Sequence, residues 1–126
     1  MPARVLYIED DDNNRVLVER ILLAEDYEVL TANSAPSGID MALSSIPDII
    51  LMDINMPGMD GFMATEIIRR YQELAHIPII AVTANVMKGD REEILAAGCD
   101  GYIPKPIDVD RFPEEVQYFL QRGPRH

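Results

Sequence analysis

Five side chains with ligating or reactive chemistry fall where apolar runs give out: Glu9 and Asp10 after VLYI, Asp53 after IILM, Thr83 after IIAV, and Lys105 after GYIP. Gathered in one crevice, three carboxylates repel one another and hold protons to a raised pH unless a cation offsets them. A hard divalent cation does this well, because Mg2+ binds oxygen through one or two carboxylates plus waters and a phosphate oxygen. Lys105 is a point charge suited to a phosphoryl group, and the Thr83 hydroxyl can donate to one. The set has the parts for metal-assisted phosphoryl transfer to a carboxylate, with Asp53 as the nucleophile.

The surrounding elements decide whether these residues meet. The runs at 48 to 53 and 77 to 82 are almost continuous in Ile, Leu, Val and Met, as in strands covered on both faces. VLYI at 5 to 8 and GYIP at 101 to 104 are shorter runs, and YEVLT at 27 to 31 alternates as an edge strand does. Between them lie stretches with helical spacing: Leu17, Ile21 and Ala24 flanked by Val18 and Leu22; 37 to 44 after Pro36; 62 to 71; and 86 to 97, stopped by Gly98. Val109, Phe112, Val116, Phe119 and Leu120 form a last stripe. Five β-α units predict an α/β fold with a parallel sheet, helices on both faces and right-handed crossovers. Ligands of such sheets sit at the carboxyl ends of the strands, the edge shared by all five residues. One domain over 1–122 is expected, with GPRH (123–126) as a frayed tail.

Charge narrows the function. With 22 Asp and Glu against 11 Lys and Arg, the surface repels phosphate backbones and anionic lipid, so neither nucleic acid nor membrane is expected as a direct partner. No apolar run approaches the roughly 20 residues of a membrane span, and the start MPARVLYIE is no secretory signal. The lone Cys99 has no disulfide or metal partner in sequence and reads as a buried apolar residue of a cytoplasmic protein.

Taken together, Glu9-Asp10, Asp53 in ILMDINMPGMDG, Thr83-Ala84 and Lys105-Pro106 in GYIPKPI resemble the receiver domain of two-component response regulators, with all motifs in order across essentially the whole chain. The resemblance implies a flavodoxin-like (βα)5 fold with strand order 2-1-3-4-5. It implies that Asp53 accepts a phosphoryl group from a histidine of a sensor kinase or phosphotransfer protein. Asp10, Asp53 and the Asn55 backbone carbonyl would bind Mg2+ (or Mn2+) directly, and Glu9 through a water. Thr83 and Lys105 would hold the phosphoryl oxygens. Thr83 and Tyr102 would form a switch that alters the face of the fourth helix, fifth strand and fifth helix, including the surface from Val86 to Ala97, where a downstream protein binds. Asn55 and Asn85 would tune the lifetime of the phosphorylated state. Such a chain catalyses only its own phosphorylation and dephosphorylation. Glu9 departs from the aspartate frequent at that position.

Other residues invite simpler readings. Asp11, Asp12 and Asn13 suit a helix cap and solvated first turn. Met56, Met59 and Met63 suit packing, and His76 receives no role. The Lys105-Pro106 bond is expected to be cis. A dehalogenase-type phosphatase would need an acid where Asn55 stands. An FMN carrier would need a phosphate loop where EDDDNN stands. A degenerate receiver working by binding alone is a further alternative, although every required side chain is present.

Overall fold

In a computed structural model of the chain, residues 2–84 and 88–123 are described, with 88–90 described by backbone alone. Asn85, Val86 and the tail residues 124–126 lie outside the described residues.

Five parallel strands, β1 (Arg4–Ile8), β2 (Glu28–Ala32), β3 (Ile49–Asp53), β4 (Ile79–Thr83) and β5 (Gly101–Pro104), form one sheet in the order β2-β1-β3-β4-β5. The helices are α1 (Asp12–Ala24), α2 (Ala35–Ser45), α3 (Gly61–Arg69), α4 (Lys88–Ala96) and α5 (Phe112–Arg122), with a 3-10 turn at Gln72–Leu74. β3 and β4 are buried at every position, which is why they lack polar alternation, whereas β2 is the half-exposed edge that its sequence suggests.

Strand alternation divides the core in two. One cluster, with Leu6, Ile8, Ile50, Met52, Ile79 and Ala81, packs against α2, α3 and α4. The other, with Val5, Tyr7, Leu51, Val82, Val116 and Phe119, packs against α1 and α5.

Local chemistry sets the helix ends. Asp11 caps α1 by accepting from Asn14 N, so the acidic run opens the helix as its composition suggests. Gly98, at φ +109, ends the α4 segment, with Cys99 N donating back to Ile94 O. Three expectations need correction. Asp48 does not belong to β3; its carboxylate accepts from Arg4 N at 2.7 Å and pins the start of β1. Val109 is 55% exposed rather than on the α5 stripe, because Asp108 Oδ1 accepts from Asp110 N and Arg111 N and holds 108–111 in a turn that delays the helix to Phe112. Met63 faces solvent, since α3 buries the stripe Gly61, Ala64, Thr65 and Ile68. Met56 is buried and Met59 packs partly buried, as their composition suggests. Among the described residues no helix is long and apolar enough to cross a membrane.

At the amino-terminal end of the sheet, Arg69 of α3 donates to Gly98 O at 3.0 Å, to Ile77 O at 2.7 Å and to the buried Asp100 carboxylate at 2.7 Å. Asp100 Oδ2 also accepts from Ile79 N at 2.9 Å, so one carboxylate joins the starts of β4 and β5 to α3. Replacing Arg69 by Met keeps the stem but takes the guanidinium away from a buried carboxylate, a change worth about 3 kcal/mol. Urea unfolding of Arg69→Met is expected to show that loss, and a loss below about 1 kcal/mol would sink the assignment of this cluster as a structural clamp.

Candidate functional site

The site is built by register. Ile8 of β1 lies beside Met52 of β3, so the next positions, Glu9 and Asp53, emerge side by side. Both continue the parity of Tyr7 and Leu51, on the α1 and α5 side of the sheet. They are only 1% and 2% exposed. Lys105 directly follows β5, with β4 between, and its long stem spans that gap: Nζ lies 2.9 Å from Glu9 Oε1 and 3.0 Å from Asp53 Oδ1. Its backbone N–H donates to Thr83 O at 2.9 Å, and the Lys105-Pro106 bond is cis, as expected. Asp10 is exposed beside them, and ligand oxygens of Glu9, Asp10 and Asp53 lie within 4.8 Å of one another.

The loop after Asp53 is held tightly. Asn55 N donates to Asp53 Oδ1 at 3.4 Å, and Gly61 N to Ile54 O at 3.0 Å. A Cβ on Gly61 would stand 2.5 Å from the Asp53 carbonyl oxygen, so only glycine lets α3 start this close to the end of β3.

Charge crowding perturbs both buried carboxyl groups. Burial raises the Asp53 carboxyl, and the hydrogen bond and charge of Glu9 raise it further, to about 7 against the pull of Lys105. Burial opposes ionisation of Glu9 too, but hydrogen bonds from Asp53, Lys105 and Tyr7 outweigh it and bring Glu9 down to about 2. The two carboxylates are coupled, and the environment favours ionisation of Glu9 over that of Asp53. Burial would lower Lys105, yet its bonds to Glu9 and Asp53 leave it raised and charged.

Thr83 is buried at the end of β4, and Tyr102 of β5 is half-buried against the α2, α3 and α4 cluster, with the Arg91 guanidinium 6.0 Å from its ring centroid. Both continue the opposite parity from Glu9, Asp53 and Lys105. Three residues went unnoticed in the sequence. Tyr7 Oη donates to Glu9 Oε1 at 2.8 Å, Asn14 Nδ2 to the same oxygen at 3.2 Å, and Arg15 to Glu9 O at 2.8 Å. Burial, and then the charge of Glu9, push the Tyr7 phenol far above its ordinary range. The spacing of Tyr7 and Glu9, two residues apart on one strand face, was the available signal. His76 is exposed and far from this edge, beside a groove with Pro2, Ile46 and Pro78 at the amino-terminal end of the sheet.

Comparison with known proteins decides the family. The model of the response regulator receiver domain matches residues 5–117. This chain is a response regulator receiver domain. The receiver is 42% identical over 120 residues to the polar-differentiation response regulator DivK of Brucella anthropi, covering 95% of this chain and 98% of that one. Its fold matches the chemotaxis protein CheY4 of Vibrio cholerae, with a TM-score of 0.90 and 28% identity over 94% of this chain and 98% of the other. It also matches the receiver domain of the sensor histidine kinase PA1611 of Pseudomonas aeruginosa, solved with a magnesium ion coordinated in the active site cleft, with a TM-score of 0.84, 35% identity and 97% coverage of each chain. The acidic cluster of this receiver fits such an ion by its donors alone: three carboxylates supply hard oxygens, and one ammonium leaves them under-neutralised.

In the metal-free protein the raised Asp53 carboxyl binds a proton more tightly folded than unfolded, so its contribution to stability is complete below pH 4 and lost as pH rises to about 7. Asp53→Asn removes the repulsion while leaving the pair of Glu9 and Lys105. Thermal unfolding of the metal-free Asp53→Asn protein at pH 8 is expected at a Tm roughly 3 to 6 °C higher, about 1 kcal/mol, with the pH 4 to 7 slope flattened. An unchanged Tm and slope would mean that Asp53 is not strained by its neighbours.

Proposed function

We propose that this receiver accepts a phosphoryl group on Asp53 from a phosphohistidine of a sensor kinase or histidine phosphotransfer protein. The observation that carries the reading is the placement of one ammonium, Lys105 Nζ, about equally close to Glu9 and Asp53 at the sheet edge where Asp10 and Thr83 also end. An Asp53 oxygen attacks phosphorus, the P–N bond to histidine breaks, and the imidazole leaves with the bonding pair and takes up a proton. Lys105 exchanges its Asp53 contact for a phosphoryl oxygen, and the Thr83 hydroxyl donates to another. A bound Mg2+ would screen the charge that builds on the phosphoryl oxygens, and Asp10, Asp53 and the Asn55 carbonyl are the groups to hold it, with Glu9 acting through a water.

In this reading the unit spans residues 1–122, acts in the cytoplasm, and turns over no external metabolite. Its output is a change on the face of α4, β5 and α5. Thr83 drawn toward the phosphoryl group leaves its position beside β5, and Tyr102, on the same side of the sheet and stacked with Arg91 of α4, responds to that move.

Intact-protein mass spectrometry after incubation with a small acyl phosphate, with and without Mg2+, tests this. A Mg2+-dependent phosphoryl adduct on the wild type that is absent from Asp53→Asn is expected. An adduct retained by the mutant places the acceptor elsewhere, and no adduct on a folded, Mg2+-binding protein means that the domain works by binding alone.

A further inference from the structure

Tyr7 is among the largest fully buried side chains, and its ring is accounted for by the core between the sheet, α1 and α5. Its hydroxyl is not. A phenol placed in a core costs free energy unless the oxygen finds a partner, and a Phe or Leu would fill the space without that cost. The partner here is a carboxylate, which makes the bond charge-assisted and roughly twice as strong as a neutral one.

Three side-chain donors converge on one oxygen of Glu9. Oε1 accepts from Tyr7 Oη at 2.8 Å, Lys105 Nζ at 2.9 Å and Asn14 Nδ2 at 3.2 Å. Oε2 receives Asp11 N at a long 3.5 Å and keeps lone pairs for a cation or its waters. Glutamate carries one methylene more than aspartate, and a flexible carboxylate of that length needs fixing before it can take a defined place beside Asp53 and Asp10. The strand supplies the fixing group two residues upstream on the same face.

We propose that Tyr7 is a positioning residue of the acidic cluster: its hydroxyl holds Glu9 Oε1, orients the carboxylate toward the divalent cation, and limits how strongly Glu9 competes with Asp53 for Lys105. This rests on the reading of the cluster as a cation site. Groups that orient a metal-binding carboxylate without touching the metal commonly change its affinity by 10-fold or more. An aspartate at position 9 retracts the carboxylate by about 1.5 Å, one carbon–carbon bond, which takes a 2.8 Å contact beyond hydrogen-bond range. The hydroxyl therefore matters only to a glutamate.

The test is a cycle of four proteins, the wild type, Tyr7→Phe, Glu9→Asp and the double variant, each titrated with Mg2+ by calorimetry and unfolded in urea. Tyr7→Phe is expected to weaken Mg2+ binding about 10-fold when Glu9 is present and less than 2-fold when Asp is. The rate of Asp53 phosphorylation in Tyr7→Phe should return toward wild type at saturating Mg2+. A tyrosine that only packs would leave the Mg2+ Kd unchanged in both backgrounds and alter stability equally in both, which overturns the proposal. A wild type that binds no Mg2+ overturns this proposal and the cation-site reading together, whereas normal Mg2+ binding with no Tyr7 effect overturns this one alone. Should Tyr7→Phe not fold, the hydroxyl proton resonance of Tyr7 in the wild type supplies the answer. It should be slow to exchange and shift on adding Mg2+, and insensitivity to Mg2+ counts against the role.

Discussion

Two carboxylates buried side by side are the constraint from which the carboxyl edge of this sheet follows. β1 and β3 are neighbours in register, so Glu9 and Asp53 have no room to diverge, and both are almost fully withdrawn from water. Such a pair persists only with compensation. The structure brings it from β5, two strands away from Asp53, through a side chain long enough to cross the end of β4. Lys105 is also tied by its backbone to Thr83, so the group that neutralises the acids and the strand that carries the hydroxyl are mechanically joined. The compensation is incomplete, and burial together with Glu9 holds the Asp53 carboxyl above the usual carboxylate range. A site short of positive charge is one that a divalent cation can complete.

Strand parity then sorts the residues by face of the sheet. Glu9, Asp53 and Lys105 continue the face that packs on α1 and α5; Thr83 and Tyr102 continue the face that packs on α2, α3 and α4. The charged machinery and the groups proposed to report on it are therefore on opposite sides of one sheet and meet only at its rim. In the proposed function, that arrangement would give a phosphoryl group on Asp53 a route toward α4 that bypasses the core of β3 and β4, which is buried throughout.

Much of this was legible in the residues. The apolar runs located the strands because fully covered strands have no alternation to hide, and their ends located Glu9, Asp10, Asp53, Thr83 and Lys105. Strand order came from the motif resemblance rather than from periodicity, which is blind to which strands are neighbours. The misreadings have local causes. Val109 matched a helical stripe but sits in a turn made by the Asp108 side chain, and Met63 is apolar but off the buried stripe of α3. Tyr7 escaped because a tyrosine inside VLYI looks like core, and only the position of its oxygen shows otherwise. Arg69 and Asp100, 31 residues apart, announce themselves only once the chain is folded.

The clamp of Arg69 on Asp100 has a mechanical side. It ties the starts of β4 and β5 to each other and to α3, at the end of the sheet opposite Thr83 and Lys105. Anchoring the start of a strand leaves its other end the freer of the two, and that end carries Thr83 and leads into Lys105. β5, short and on the margin, pairs on one side only among the described residues. The anchor is shared by the Arg69 guanidinium and the Asp100 carboxylate, so loosening either would free the strand starts as well as the strand ends.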